Sequence, residues 1–208
     1  MTRRSQSSSR WLQEHFSDPY VRRAQAEGWR SRAVFKLEEA DKKERLLRRG
    51  AIVLDLGAAP GAWSQYAITR VGPKGRVIAS DILPMDALAG VEFIQGDFRE
   101  QEVCTQLLGL TGERAVDVML SDMAPSLSGM GVIDQPRAMY LAELALEMAG
   151  RVLTPGGGAL IKVFQGSGFQ ELVVAARRQF KTVRFIKPAA SRARSAETYL
   201  LAGGLRLV

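Results

Sequence analysis

The sequence predicts an α/β protein built on a doubly wound, mostly parallel sheet of seven strands, and three observations carry that reading. From residue 51 onward, short apolar runs alternate with stretches of helical periodicity. The first of these runs, Ala51 to Leu56, passes directly into a glycine-punctuated turn, Gly57-Ala-Ala-Pro-Gly61, and then into a helix start. The last two runs are joined by a polar, Arg-rich loop instead of a helix, which predicts antiparallel pairing at the end of the sheet. A chain of 208 residues suits one such domain.

Taken in order, residues 1–9 are polar, basic and Ser-rich, and read as a disordered arm. From Arg10 to about Leu47 the apolar positions Trp11, Leu12, Phe16, Tyr20 and Val21, then Ala33, Val34, Leu37 and Ala40, recur at helical spacing. Gly28 marks a break, and Ser31 is positioned to cap the second helix. Strands are then expected at 51–56, 76–80, 91–95, 115–121, 158–164, 182–187 and 197–202, with helices at 61–70, 100–109, 135–152 and 168–179. Residues 10–208 thus form a single domain with a helical extension over 10–48.

Composition removes several chemistries. Cys104 is the only cysteine and His15 the only histidine, so no disulfide framework, thiolate metal site or histidine triad is expected, and no metal. No apolar run approaches the length of a membrane span, and no signal segment follows the basic N-terminus, which points to a cytoplasmic protein with no membrane partner. The charge is segregated. Residues 1–50 carry 13 Lys/Arg against 7 Asp/Glu and residues 177–208 carry 8 against 1, while residues 51–176 carry 8 against 14. Two basic ends around an acidic middle suit a polyanionic partner.

In the turn after the first strand Gly57 is followed by Ala58 and Ala59, so the second glycine of a dinucleotide fingerprint is missing, as is the Gly-Lys-Ser/Thr of a P-loop. It suits a nucleoside cofactor without phosphates, of which S-adenosyl-L-methionine is the common one. Three acids follow three successive strand-like runs: Asp81, Asp97 and Asp122. Singly each reads as a turn or cap aspartate. Together they fit a ligand lying across the carboxyl ends of the strands, with Asp81 accepting from ribose hydroxyls, Asp97 from an adenine amine beside Phe98, and Asp122 at the centre of the cleft. Trp63 either belongs to the core or walls the same pocket. Lys162 interrupts an apolar strand and calls for a partner, for which Asp122 is the natural candidate. Lys36 also sits among apolar neighbours, and Glu197 is the only acid after Glu171.

These motifs, with Ser7 to Phe16, Asp55 to Gly61, Ser121 to Pro125, Lys162 to Gly166 and Ser191 to Ser195, resemble the FtsJ-type ribosomal RNA 2′-O-ribose methyltransferases across essentially the whole chain. The resemblance implies a Rossmann-like class I S-adenosylmethionine-dependent methyltransferase. It also implies transfer to a uridine 2′-hydroxyl in the A-loop of 23S rRNA, with the large (50S) ribosomal subunit as partner and a monomeric enzyme. The family's catalytic tetrad maps onto Lys36, Asp122, Lys162 and Glu197, and its cofactor contacts onto Gly61, Trp63, Asp81, Asp97 and Asp122. Lys162 becomes the candidate base, which must be neutral to act. Ala62 stands where the family usually has glycine. The RNA surface is expected to combine Arg3, Arg4, Arg10, Arg22, Arg23, Arg30 and Arg32 with Arg192 and Arg194. A related enzyme acting on tRNA or an mRNA cap, a noncatalytic ribosome-assembly factor and a small-molecule methyltransferase are the alternatives.

Overall fold

The computed structural model describes residues 17–112, 115–126, 128–192 and 195–206. The expected arm over residues 1–9, the start of the helical extension, and Arg3, Arg4, Arg10 and Arg194 lie outside the described residues. Seven strands form one sheet: β1 (Ile52–Leu56), β2 (Arg76–Asp81), β3 (Val91–Gln95), β4 (Val116–Ser121), β5 (Leu153–Phe164), β6 (Phe180–Ile186) and β7 (Glu197–Leu205). Their order is β3-β2-β1-β4-β5-β7-β6. The pairs from β3 through to β5 are parallel, and β7 is antiparallel to both β5 and β6. The expected antiparallel end is therefore present, with β7 inserted inside β6 so that β6 forms the edge.

Six helices lie wholly within the described residues: α1 (Pro19–Ala26), α2 (Val34–Glu44), α3 (Ala62–Val71), α4 (Gln101–Thr111), α5 (Gly131–Val152) and α6 (Phe169–Gln179). Alternation along each strand divides the core in two. Leu54, Leu56, Ile78, Met119 and Ile161 face α4, α5 and α6, packing on Leu107, Leu146 and Leu172. Val53, Val77, Leu120, Leu160 and Tyr199 face α1, α2 and α3, packing on Leu37, Trp63 and Tyr66. Both faces of β1 and β2 are covered, which accounts for their nearly unbroken apolar sequence, while the edge strand β3 is partly exposed.

The element boundaries differ from expectation where glycine or proline masks continuity. β5 begins at Leu153, five residues before the apolar run, because Gly156, Gly157 and Gly158 continue the strand. α5 begins one turn early at Gly131 and contains Pro136. Ahead of it, Asp134 accepts from the backbone N–H groups of Ser128 and Gly129 and from the Ser128 hydroxyl. Ser31 does not cap α2 itself. Its hydroxyl accepts from Ala33 N–H in the turn before the helix, at 3.2 Å.

The helical extension is fastened to α3 by a buried carboxylate. Asp41 Oδ1 accepts from Leu47 N–H at 2.8 Å, and Oδ2 accepts from Tyr66 Oη at 3.0 Å and Arg70 Nε at 2.9 Å. Burial, with Asp41 beside it, pushes the Tyr66 phenol well above its usual range, so it stays a neutral donor. Replacing Asp41 by alanine leaves two buried donors and a guanidinium without their acceptor. The expected loss is about 3 kcal/mol in chemical denaturation with an unchanged m-value. A loss below about 1 kcal/mol would show that this anchor carries little of the stability.

Candidate active site

The strand order reverses between β1 and β4, so their carboxyl ends open a crevice between loops that run to opposite sides. A cleft of about 560 Å³ occupies that place, a volume typical of a small-molecule site. Gly57, Asp81, Asp97, Phe98 and Asp122 line it, with Ile82 and Leu83 as exposed apolar wall. Gly57 has φ +76°, and a Cβ there would lie 2.6 Å from Met123 Cγ, so only glycine lets the turn close against the loop after β4.

Asp81 and Asp122 are at the cleft, as expected. Asp81 accepts from Ala59 N–H through Oδ2 and from Leu83 N–H through Oδ1, both at 2.9 Å. These two bonds fix the carboxylate, and each oxygen retains a lone pair for a ribose diol. Asp97 also lines the cleft, but Arg99 engages both its oxygens, Nε lying 2.9 and 2.8 Å from them, and this pairing holds the carboxyl below its usual range. An adenine amine at Asp97 would share that carboxylate with the guanidinium.

Gly61 and Trp63 are not brought to the cleft wall. A Cβ on Gly61 would meet Met85 Sδ at 2.7 Å and Arg30 Nη1 at 2.8 Å, so this glycine serves the closure of the neighbouring loop. Arg30 forms that closure, donating to the carbonyls of Pro60, Asp86 and Ala87 at 2.8 to 3.1 Å. Trp63 is buried, donates from Nε1 to Ala33 O at 2.8 Å and packs on Tyr199 with ring centroids 5.7 Å apart. Its core alternative is the one realised. Ala62 is likewise buried in the core and is not among the residues that line the cleft.

The four expected catalytic residues form two ion pairs. Lys162 Nζ lies 2.8 Å from Asp122 Oδ1 and donates to Asp122 O at 2.7 Å. Lys36 Nζ lies 2.8 Å from Glu197 Oε1. Tyr199, which the sequence reading did not single out, joins the pairs: its hydroxyl donates to Asp122 Oδ1 at 2.6 Å, and Lys36 Nζ lies 5.7 Å from its ring centre. Register produces this grouping, since Lys162 is paired with Tyr199 and Phe164 with Glu197 across β5 and β7. The period-two step from Glu197 to Tyr199 places both on one face, and that was the available signal. Burial, and next the Asp122 charge, raise the Tyr199 phenol well above its usual range, so it acts as a fixed donor.

Among the arginines expected on an RNA surface, several are engaged within the protein. Arg32 pairs with Asp18 and donates to Ala190 O, clamping the extension to the loop before β7. Arg23 pairs with Glu27 and Glu38. Arg22 donates to Ser17 O. Among the described residues no cluster of His, Cys, Asp or Glu could hold a metal ion, and no helix is long and apolar enough to cross a membrane.

Comparison with known proteins gives a consistent pattern. Residues 29–205 match the family of FtsJ-like methyltransferases. Ribosomal RNA large subunit methyltransferase E from Legionella pneumophila (strain Corby) is 59% identical over 204 residues, covering 98% of this chain and 99% of that protein. A protein assigned as a ribosomal RNA methyltransferase from Plasmodium falciparum is 29% identical, with a TM-score of 0.75 over 85% of this chain and 98% of its own. An S-adenosylmethionine-dependent methyltransferase from Aquifex aeolicus, 18% identical, shares the fold with a TM-score of 0.52 over 81% of this chain and 89% of its own.

Below the cleft, Asp55 is fully buried in β1, bonded to Ser64 Oγ at 2.6 Å, with Oδ1 unpartnered. Burial pushes its carboxyl up to about 7. The unfolded value is near 3.9, so the native state holds the extra proton between the two, and stability falls as pH rises from about 4 through 7, by up to on the order of 4 kcal/mol. Asp55→Asn should remove this dependence. Its midpoint of thermal unfolding should gain on the wild type between pH 5 and pH 8, and a difference that does not change with pH would contradict the assignment.

Proposed function

The chain belongs to the FtsJ-like methyltransferase family, and from that premise we propose that it methylates the 2′-hydroxyl of a uridine ribose in large-subunit ribosomal RNA. The observation that carries the reading is that Asp122 is at once part of the cleft wall and the partner of Lys162. A cofactor site and a candidate base are thereby held by one residue. The 59% identity to a large-subunit methyltransferase over nearly the whole of both chains supports the substrate. The A-loop uridine of 23S rRNA, presented by the 50S subunit to a monomeric cytoplasmic enzyme, is the specific target of this reading.

The cleft fits S-adenosylmethionine. Asp81 offers a fixed carboxylate to the ribose, Phe98, Ile82 and Leu83 offer apolar surface to the adenine, and of the two arginines on the wall, Arg99 and Arg137, the first is engaged with Asp97. Bound in the cleft, the cofactor supplies an electrophilic methyl group on a sulfonium and leaves as S-adenosylhomocysteine.

A ribose hydroxyl is a weak nucleophile, so the protein must hold it in line and take its proton. Lys162 is suited to that role. Two of the directions around Nζ point to the carboxylate and carbonyl of Asp122, which leaves one tetrahedral direction for a substrate. In the neutral amine that direction carries the lone pair that accepts the hydroxyl proton. Tyr199 donates to the same Asp122 oxygen that pairs with Lys162, and the Lys36–Glu197 pair offers a donor and an acceptor to position the ribose.

Labelled S-adenosylmethionine offered to 50S subunits, free ribosomal RNA, tRNA and capped RNA, with the modified nucleotide mapped, tests the substrate. Label is expected at a uridine 2′-oxygen of 23S rRNA, and label in tRNA alone would overturn the reading. Lys162→Ala should lower single-turnover methylation by about 10²- to 10⁴-fold with cofactor affinity nearly unchanged. Methylation by that variant at close to the wild-type rate would remove Lys162 as the base.

A further inference from the structure

A second cavity, of about 610 Å³, opens at the opposite edge of the sheet, where β1, β4 and β5 begin. It has no wall in common with the cofactor cleft. β1 separates the two, and its five residues at about 3.3 Å each span roughly 17 Å.

Four arginines line this cavity: Arg45, Arg48, Arg49 and Arg184. Its two acids are already engaged. Glu44 pairs with Arg184 at 2.5 Å, and Asp117 accepts from Ile52 N–H at 2.8 Å. Arg45, Arg48 and Arg49 are exposed, and their side chains have no hydrogen-bond or ion-pair partner among the described residues. Three unpaired guanidinium groups at the rim of one concavity create a positive potential that a phosphate relieves through charge-assisted hydrogen bonds.

Backbone geometry at the rim points the same way. Arg45 ends α2 in the left-handed conformation at φ 54°. Glycine takes that conformation without strain, so local geometry gives no reason for an arginine there. The floor is Gly156, Gly157, Gly158 and Gly203. A Cβ at Gly158 would lie 2.9 Å from Ala202 O, and one at Gly157 would lie 3.0 Å from Thr154 O, so strand packing keeps the floor bare. No aromatic side chain lines the cavity, so it offers no platform for stacking a base. Its chemistry suits the backbone of a nucleic acid and carries no sequence information.

We propose that the Arg45, Arg48 and Arg49 cavity binds backbone phosphodiesters of the RNA substrate, as a second contact on the edge opposite the methylation cleft. This rests on the ribosomal RNA reading above. The second contact explains a division of labour: the cleft selects the nucleotide, while this edge adds affinity for RNA large enough to reach both sites. A short hairpin seated in the cleft does not reach it.

The test compares the full chain with R48A/R49A and R48K/R49K variants. Fluorescence anisotropy measures binding to a long 23S rRNA fragment containing the target and to a short target hairpin, between about 50 and 200 mM salt. R48A/R49A should bind the long fragment roughly tenfold more weakly, with a salt slope smaller by about 1.5 to 2. R48K/R49K should keep the wild-type slope. Hairpin binding, hairpin methylation and S-adenosylmethionine binding should be the same in all three proteins, which also reports that the variants are folded. An unchanged slope on the long fragment would overturn the proposal, as would an equal loss on the hairpin. Thermal stabilisation of the wild type by inorganic phosphate or a mononucleotide, abolished in R48A/R49A while the RNA slope is unchanged, would make this a small-anion site and also overturn it. If the wild type methylates the fragment and the slope does not change, this inference alone fails. If the wild type methylates no ribosomal RNA, the reading beneath it fails as well.

Discussion

The arrangement of the site depends on the contact between Asp122 and Lys162. A lysine within a buried strand needs an acceptor, and Asp122 supplies two, its carboxylate at 2.8 Å and its own carbonyl at 2.7 Å. The carboxylate is in turn held by the Tyr199 hydroxyl at 2.6 Å. Three strands meet here: Asp122 follows β4, Lys162 is on β5 and Tyr199 on β7. Inserting β7 antiparallel between β5 and β6 brings Tyr199 opposite Lys162, with Glu197 two residues away to receive Lys36 from α2. A C-terminal strand running parallel instead would break this register.

In the proposed reaction the same residue connects chemistry to binding. Asp122 lies on the wall of the cleft, immediately across the switch point from Gly57. Gly57 lets the first loop approach Met123, and Arg30 then closes the adjoining loop by donating to three carbonyls. The N-terminal extension thus has a structural task in this protein. Through Arg30, Arg32 and Asp41 it braces the cofactor loop, the loop before β7 and the end of α2. Positive charge alone does not describe its contribution.

Much of this was legible in the residues. The strands beside the cleft were found because, in a parallel sheet covered on both faces, burial writes itself as an unbroken apolar run. Asp81, Asp97 and Asp122 stand out because each follows such a run, and all three line the cleft. Lys162 was found because a charge inside one demands a partner. What escaped has a physical cause in each case. Tyr199 looks like an ordinary core aromatic, and only its cross-strand register reveals the hydroxyl at Asp122. Gly61 and Trp63 stand beside the cofactor turn in sequence, but a tight turn places successive residues on different sides, and these two face the brace and the core. Gly156 and Gly157 fall before the expected start of β5, because a strand interior seldom lacks side chains, while Gly158 packs too closely on Ala202 O to carry one. Arginine charge was visible, but its internal partners, such as Asp18 for Arg32, were not.

In the proposed reaction Asp122 serves the bound cofactor and the base together. Single-turnover methylation by Asp122→Asn, measured with S-adenosylmethionine well above its own dissociation constant for that variant, separates the two roles. Cofactor binding should weaken and the rate at saturation should remain at least about 10²-fold below wild type, because Lys162 is no longer held by a carboxylate. Full recovery of the rate at saturating cofactor would show that Asp122 acts through binding alone and has no part in holding the base.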